Sequence, residues 1–209
     1  MFKKITYLTL AIAFIPMALG WISLPLPVQA SVEIGKTAPA FSATDIHGNV
    51  FNLEDQKGKT VVLEWTNHLC PFVKKHYSTN NMQNTQKAAT DQGVIWVSIV
   101  SSAEGKQGHV SAEEAVKIEE EVGAHATTRI LDPSGEIGRL YAAKTTPHMF
   151  IVSPEGNIVY EGAIDSNPSP SPKAVEDATN LVLAALDDMA AGKEIEIPQT
   201  APYGCSVKY

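Results

Sequence analysis

Cysteine is scarce in this chain, because only Cys70 and Cys205 occur among its 209 residues. Two cysteines are too few for a miniprotein held together by several disulfides, and 44% hydrophobic residues are enough for an ordinary core. Positive charge is also in deficit, with 16 Lys and Arg against 23 Asp and Glu and a formal net charge of −7. Nucleic-acid binding needs a concentrated basic surface, so we predict no nucleic-acid partner.

The N-terminus has the pattern of a secretory signal peptide. Lysines at positions 3 and 4 precede an apolar run from Ile5 to Gly20, and Val28-Gln29-Ala30 supplies small residues before a cleavage site. We therefore predict cleavage after Ala30 and a periplasmic or other extracytoplasmic location. A retained membrane anchor is the alternative, which Pro16 in the apolar run disfavours. A disulfide between the two cysteines can persist in such a compartment.

The remaining sequence alternates between strand-like and helix-like segments. It predicts a domain over 31–192 and an irregular C-terminal tail over 193–209. Predicted strands cover 50–53, 60–65, 94–100, 129–132, 149–153 and 157–160, and predicted helices cover 71–92, 111–123, a short segment ending near 141, and 173–191. This order indicates an α/β fold with a mixed central sheet flanked by helices and an N-terminal β-hairpin.

Cys70 lies where a predicted buried strand passes into a predicted helix. Pro71 follows it, and proline is favoured at the first position of a helix. The free N–H groups of a helix N-terminus stabilise a thiolate, and Lys74 and Lys75 add positive potential one turn later. The sequence therefore predicts a nucleophilic Cys70 with a lowered pKa, and a buried inert cysteine is the alternative.

Three segments resemble a known family. They are Glu64–Val73 (EWTNHLCPFV), Gly35–Phe41 (GKTAPAF) and Gly204–Lys208 (GCSVK). Together they resemble the thioredoxin-like superfamily in its redoxin branch, which includes the alkyl hydroperoxide reductase/thiol-specific antioxidant peroxiredoxins and exported thiol–disulfide oxidoreductases. The similarity is strongest to exported peroxiredoxin-like proteins and covers most of residues 31–209.

The resemblance implies a thioredoxin-like fold, with Cys70 on the active-site helix and Pro147 as a cis-proline facing it. Thr146 would then offer its backbone to a sulfur partner or a substrate. The sequence also departs from the family. Val73 stands where a Cys-x-x-Cys motif has its second cysteine, and Asn67 stands where peroxiredoxins have a threonine that orients the peroxide. Asn67 is a candidate replacement donor.

The family's peroxide-orienting arginine is missing too. The segment Thr146-Pro147-His148 occupies the region where that arginine normally lies. Efficient peroxidase activity is correspondingly disfavoured by the sequence.

Cys205 lies four residues from the C-terminus, after prolines at 198 and 202. A flexible terminal thiol is suited to resolve a sulfenic acid or a mixed disulfide at Cys70. Two alternatives stay open, namely a permanent Cys70–Cys205 disulfide and pairing of Cys205 with another chain.

Several polar residues are candidates for tuning the Cys70 thiol. His68 and Lys74 flank it in sequence, and His148 follows the expected cis-proline. Glu64 is a carboxylate on a buried strand, with Lys74 or a site proton as its candidate partner. A copper or zinc site from Cys70, His68 and His148 is an alternative that no metal-binding spacing supports. We predict no metal and no cofactor.

These observations predict an exported thiol-dependent redox enzyme, with peroxiredoxin-like activity as the first interpretation. A thiol–disulfide oxidoreductase acting on exported proteins and a non-catalytic binding or metallochaperone module are the alternatives. The predicted partners are a thiol electron donor and a peroxide or protein disulfide substrate. The oligomeric state stays open.

Overall fold

A five-stranded sheet forms the centre of the fold in the computed structural model, which describes residues 32–209. The predicted signal peptide and its cleavage site lie outside the described residues. The strands are β1 Ser42–Thr44, β2 Val50–Asn52, β3 Val61–Trp65, β4 Ile95–Val100, β5 Thr128–Leu131, β6 Thr145–Thr146, β7 His148–Val152, β8 Ile158–Gly162 and β9 Cys205–Ser206. The helices are α1 Pro71–Ser78, α2 Asn81–Asp91, α3 Ala112–Val122, α4 Glu136–Leu140 and α5 Leu181–Ala190, with 3-10 turns at Leu53–Gln56 and Pro172–Val175. Within residues 32–209, none of the helices combines the length and the apolar character needed to cross a lipid bilayer.

The sheet is mixed, as the sequence predicts. Its strand order is β5-β4-β3-β7-β8, with β3, β4 and β5 parallel to one another and β7 antiparallel to both β3 and β8. The antiparallel pair β1–β2 forms the predicted N-terminal hairpin. β3 is the middle strand of this sheet. The chain that leaves its C-terminal end passes through Cys70 into α1, so Cys70 lies beyond the C-terminal end of the central strand.

Both faces of β3 are buried. Leu63 and Trp65 point into one hydrophobic cluster and Val62 into the other, as the alternation of side chains along a strand requires. Such two-sided burial explains why this segment reads as a continuous apolar run.

The predicted helix over 71–92 is wrong as a single element, because two helices with a break occupy it. The hydroxyl of Thr79 donates to the carbonyl of Lys75 at 2.8 Å, and Asn80 adopts a left-handed backbone with φ 58°. A hydroxyl that satisfies a carbonyl of the last turn competes with helix continuation, and asparagine tolerates the left-handed region. α1 therefore ends at Ser78, and α2 begins at Asn81.

The predicted closing helix over 173–191 is shorter than expected. Only Leu181–Ala190 is α-helical, and Asn180 caps it by accepting a hydrogen bond from the backbone N–H of Leu183 at 3.0 Å. In contrast, the predicted helix over 111–123 is confirmed, with a capping box at Ser111 and a left-handed Gly123 at its end.

Glu64 is fully buried on β3 and joins the sheet to both helices above it. One carboxylate oxygen accepts from the Tyr77 hydroxyl of α1 at 3.1 Å. The other accepts from Gln86 of α2 at 3.0 Å and from the side chains of Trp96 and Ser98 on β4 at 2.8 and 3.0 Å. Four neutral donors thus satisfy this carboxylate, and the predicted partner Lys74 is not among them.

We expect Glu64→Gln to destabilise the fold by about 1–3 kcal/mol, the usual cost of leaving buried donors unsatisfied. The amide has one acceptor oxygen in place of two, so its NH₂ group faces donors. Urea denaturation measures the effect, with Glu104→Gln on the surface as the control. Equal midpoints for the two variants would contradict the assignment of Glu64 as a structural hub.

Candidate active site

Cys70 is the N-cap residue of α1 and is completely buried. Its backbone N–H donates to the carbonyl of Asn67 at 2.9 Å, which closes the turn between β3 and the helix. Pro71 occupies the first helical turn, as the sequence predicts. The thiol lies 3.1 Å from the carbonyl oxygen of Thr146.

Cys205 reaches Cys70 from the opposite end of the sequence. β9 pairs antiparallel with β6, with Cys205 in register with Thr146. The two Sγ atoms are 2.7 Å apart, and neither cysteine is in a disulfide. The peptide bond between Thr146 and Pro147 is cis, as the family resemblance implies. Four of the predicted site residues are therefore brought together, namely Cys70, Cys205, Thr146 and Pro147.

The C-terminal tail is docked on the domain, which corrects the prediction of a loose segment. The backbone of Pro198 and Thr200 bonds to Glu161 on β8 at 3.1 and 3.0 Å. Further on, the backbone N–H of Val207 donates to the Lys144 carbonyl at 3.1 Å. Sequence patterns missed this docking because its partners are remote backbone groups, which leave no local periodicity.

The two thiols have opposite pKa shifts. Burial raises the pKa of Cys70, but hydrogen bonds from the Cys205 thiol and the Val73 backbone N–H outweigh it, and the pKa falls below its ordinary value. Burial, the hydrogen bond to Cys70 and the charge of the Cys70 thiolate together raise the pKa of Cys205 to about 11. Of the two thiols, Cys70 is therefore the one that ionises at the lower pH.

The described hydrogen bonds of the Asn67 side chain are to backbone groups and not to the Cys70 sulfur. Its amide oxygen accepts from the Leu69 backbone N–H at 2.9 Å, and its amide nitrogen donates to the Gln107 carbonyl at 3.1 Å. The side chain holds the turn before Cys70, which favours a structural role for Asn67 over the predicted role as a replacement for the peroxide-orienting threonine.

The other predicted tuning residues also act elsewhere. His68 and Lys74 line a cleft of about 560 Å³ between α1 and α3, and Cys70 is not part of that lining. Burial and the positive charges of Arg129 and Lys74 lower the pKa of His68. Glu64 bonds to the neutral groups described above. The lowered pKa of the Cys70 thiol is therefore due to hydrogen bonds and not to nearby positive side chains.

His148 is buried beside the cis-proline, with its ring 4.4 Å from that of Phe150. Its Nδ1 atom accepts from the Lys144 backbone N–H at 3.3 Å. Burial and the charge of Lys144 lower its pKa to about 3, so the ring is neutral near pH 7. It cannot stabilise the thiolate as a cation. Across residues 32–209, no three His, Cys, Asp or Glu side chains are grouped to hold a metal ion.

A buried polar cluster on α1 was not predicted. Lys75 forms an ion pair with Asp165 at 3.1 Å, and His76 lies 3.9 Å from the same carboxylate. Lys75 was expected to add positive potential at Cys70, but its charge is neutralised by Asp165. Burial lowers the pKa of His76 to about 4. Asp165 is 90 residues away in sequence, so no spacing rule connects it to α1.

Known proteins share this fold. The family model described as AhpC/TSA matches residues 34–161. The thiol-disulfide oxidoreductase ResA of Bacillus thuringiensis subsp. konkukian is 27% identical over 140 residues, which are 64% of this chain and 71% of that protein. A conserved protein of Geobacillus kaustophilus is 29% identical with a TM-score of 0.70, over 85% of this chain and 92% of its own. The thioredoxin domain of a Bacteroides vulgatus thiol-disulfide oxidoreductase is 26% identical with a TM-score of 0.50, over 62% and 88%. The expectation of a thioredoxin-like fold is confirmed.

We expect Cys205→Ala to raise the pKa of the Cys70 thiol, because it removes the largest stabilising hydrogen bond. The ultraviolet absorbance of the thiolate against pH measures this pKa. Cys205→Ser is the matched control, since its hydroxyl still donates and the pKa should rise less. A Cys70 pKa that is the same in all three proteins would contradict the hydrogen-bond explanation.

We expect the free energy of unfolding to fall as the pH drops from about 6.5 towards 4. The pKa values of buried His76 and His148 are about 4 and about 3 in the folded chain, so the unfolded chain binds more protons in this window. The loss is of order 2 kcal/mol for each histidine. Urea denaturation at several pH values measures it. His148→Phe should flatten the profile and replacement of exposed His47 by Asn should not, whereas identical profiles would exclude His148 as a cause.

Proposed function

Because the chain belongs to the AhpC/TSA family, we propose that it is a thiol–disulfide oxidoreductase whose two redox sulfurs come from the active-site helix and the C-terminal tail. The observation that carries this proposal is the 2.7 Å distance between the free Sγ atoms of Cys70 and Cys205. The resemblance to proteins named thiol-disulfide oxidoreductases supports it.

The reaction follows thiol–disulfide exchange. The Cys70 thiolate attacks one sulfur of a substrate disulfide, a Cys70–substrate bond forms, and the other substrate sulfur leaves as a thiolate that takes up a proton. Cys205 then loses its proton and attacks Cys70 Sγ, which releases the second substrate thiol. The substrate disulfide is reduced to two thiols, and Cys70 and Cys205 become a disulfide.

The pKa pattern supports this division of roles. Cys70 has the lowered pKa and is the attacking thiolate. Two of the three causes that raise the pKa of Cys205 come from Cys70 itself. Once Cys70 is bonded to a substrate, its negative charge is gone, and Cys205 deprotonates more readily at the step in which it must attack.

Peroxide is the second candidate substrate. The redoxin branch that the chain resembles includes alkyl hydroperoxide reductases, and the pKa of Cys70 is lowered. The site supplies less than a peroxidase needs. The Asn67 side chain bonds to backbone groups of the turn and of Gln107, and Thr146-Pro147-His148 stands where the peroxide-orienting arginine is expected. We infer slow peroxide reduction and a protein disulfide as the preferred substrate. A second-order rate with peroxide that exceeds the rate with a protein disulfide would reverse this order.

We also propose that the protein acts outside the cytoplasm, on the support of the signal-peptide pattern in residues 1–30. Its partners would then be exported proteins with disulfides and a thiol donor that returns the Cys70–Cys205 disulfide to the dithiol. The same pair works in the opposite direction if the partner is reduced, so the compartment's redox potential sets the direction.

We expect Cys205→Ser to accumulate a mixed disulfide between Cys70 and a substrate protein, because no second thiol is present to release it. Non-reducing electrophoresis and mass spectrometry detect the adduct with a model protein disulfide such as that of insulin. Cys70→Ser should form none and should lose insulin reduction altogether. Full turnover by Cys205→Ser, without an adduct, would exclude Cys205 as the resolving thiol.

A further inference from the structure

The hydroxyl of Tyr203 is bound in a buried polar pocket formed by α1 and the segment after β8. It donates to the Asp165 carboxylate, and it lies 3.1 Å from both Lys75 Nζ and His76 Nε2. The three partners are at most 2% exposed. The Lys75 ammonium also donates to the carbonyl of Asn167 at 2.8 Å.

The aromatic ring of Tyr203 is held as well as its hydroxyl. Lys75 Nζ lies 5.0 Å from the ring centroid, and the ring of Phe72 packs at 5.9 Å between centroids. Phe72 and Lys75 belong to the same short helix that presents Cys70. Tyr203 is therefore fixed to the element that carries the reactive sulfur.

This attachment limits where Cys205 can be. Two residues of extended chain span about 7 Å, so Cys205 cannot move more than about 7 Å from Tyr203. A fixed Tyr203 therefore keeps Cys205 close to Cys70. Gly204 makes the intervening step possible. Its φ is +139°, and a Cβ there would overlap the Thr146 carbonyl group.

A second anchor holds the chain after Cys205. The ring of Tyr209 lies over the Arg139 guanidinium at 4.6 Å, and its hydroxyl donates to the Ala143 carbonyl at 2.9 Å. Unlike Tyr203, its hydroxyl bonds to a neutral group. Hydrogen bonds to ionised groups are stronger than those to neutral groups. The Tyr203 hydroxyl, which bonds to Lys75 and Asp165, is therefore held more strongly than the Tyr209 hydroxyl.

We propose that Tyr203 is a positioning residue that sets the effective concentration of the Cys205 thiol at Cys70. This inference rests on the proposed function, since it concerns the second exchange step. There Cys205 attacks Cys70 Sγ, the Cys70–substrate bond breaks, and its electron pair leaves on the substrate sulfur. Tyr203 takes no part in that electron movement and acts by holding the attacking sulfur close.

The same attachment has a cost for the first exchange step. Cys70 Sγ is fully covered in the reduced structure, with Cys205 and Thr146 against it. A substrate disulfide reaches it only after the segment around Cys205 moves aside. The hydroxyl of Tyr203 therefore favours resolution and opposes the initial attack, and its removal should shift the two steps in opposite directions.

Tyr203→Phe tests the proposal because it removes only the hydroxyl. We expect the equilibrium constant for forming the Cys70–Cys205 disulfide, measured in glutathione buffers by alkylation and mass spectrometry, to fall about tenfold, which corresponds to about 1.4 kcal/mol. The initial attack of Cys70 on a small disulfide should become faster. Thiolate absorbance should also show the Cys70 pKa rising towards its value in Cys205→Ala.

Tyr141→Phe is the matched control. It also removes a tyrosine hydroxyl, which donates to the Pro39 carbonyl at 2.7 Å and is remote in sequence from the tail and from α1. Its disulfide equilibrium constant should stay within twofold of the parent even where its stability falls. Asp165→Asn is a second variant, which weakens the seat while keeping Tyr203, and it should change the constant in the same direction as Tyr203→Phe.

The outcomes distinguish failure of the proposed function from failure of the positioning role of Tyr203. If the parent protein forms no Cys70–Cys205 disulfide in any glutathione buffer, the proposed function fails. If the parent forms it and both Tyr203→Phe and Asp165→Asn, folded as judged by circular dichroism, match its constant, only the positioning role fails. A tenfold loss in Tyr141→Phe as well would assign the effect to general destabilisation and overturn the proposal.

Discussion

The buried ion pair between Lys75 and Asp165 joins the helix of Cys70 to the segment after β8, and Tyr203 of the C-terminal tail binds to both groups. Lys75 belongs to the helix that begins at Cys70, and Asp165 follows the last strand of the central sheet. Burying two charges costs several kcal/mol for each, and such a pair is tolerated only when further hydrogen bonds satisfy both groups. Tyr203 and the Asn167 carbonyl supply those bonds. Tyr203 of the tail thus helps to offset the desolvation cost of the buried pair.

The site also shows how one pair of sulfurs acquires two different characters. Cys70 has the helix N-terminus and donated hydrogen bonds on its side, which favour the thiolate. Cys205 faces that thiolate and is therefore held in its neutral form, with its pKa raised. The difference depends on the redox state of Cys70, so electrostatics supports the proposed order, in which Cys70 attacks and Cys205 resolves. A second cysteine in the helix is not required for this order.

Another buried carboxylate, that of Glu64, is also satisfied by hydrogen bonds. Glu64 is surrounded by four neutral donors from α1, α2 and β4, which fixes the helix of Cys70 against the sheet. The carboxylate is a structural group for this reason. Its position on β3, six residues before Cys70, made it resemble a site residue in the sequence alone.

The sequence by itself determined the central sheet, the N-terminal hairpin and the helix that begins after Cys70, and it predicted the cysteine pair as the place of chemistry. These features rest on local rules, since apolar alternation, turn residues and proline at a first helical turn act within a few residues. Only the tertiary structure decided that His68 and Lys74 line a cleft to which Cys70 does not belong, and that the tail is docked through Tyr203. Each of these depends on groups far apart in sequence, such as Lys75 and Asp165, and a buried charge or an unpaired backbone group finds its partner only when the chain has folded.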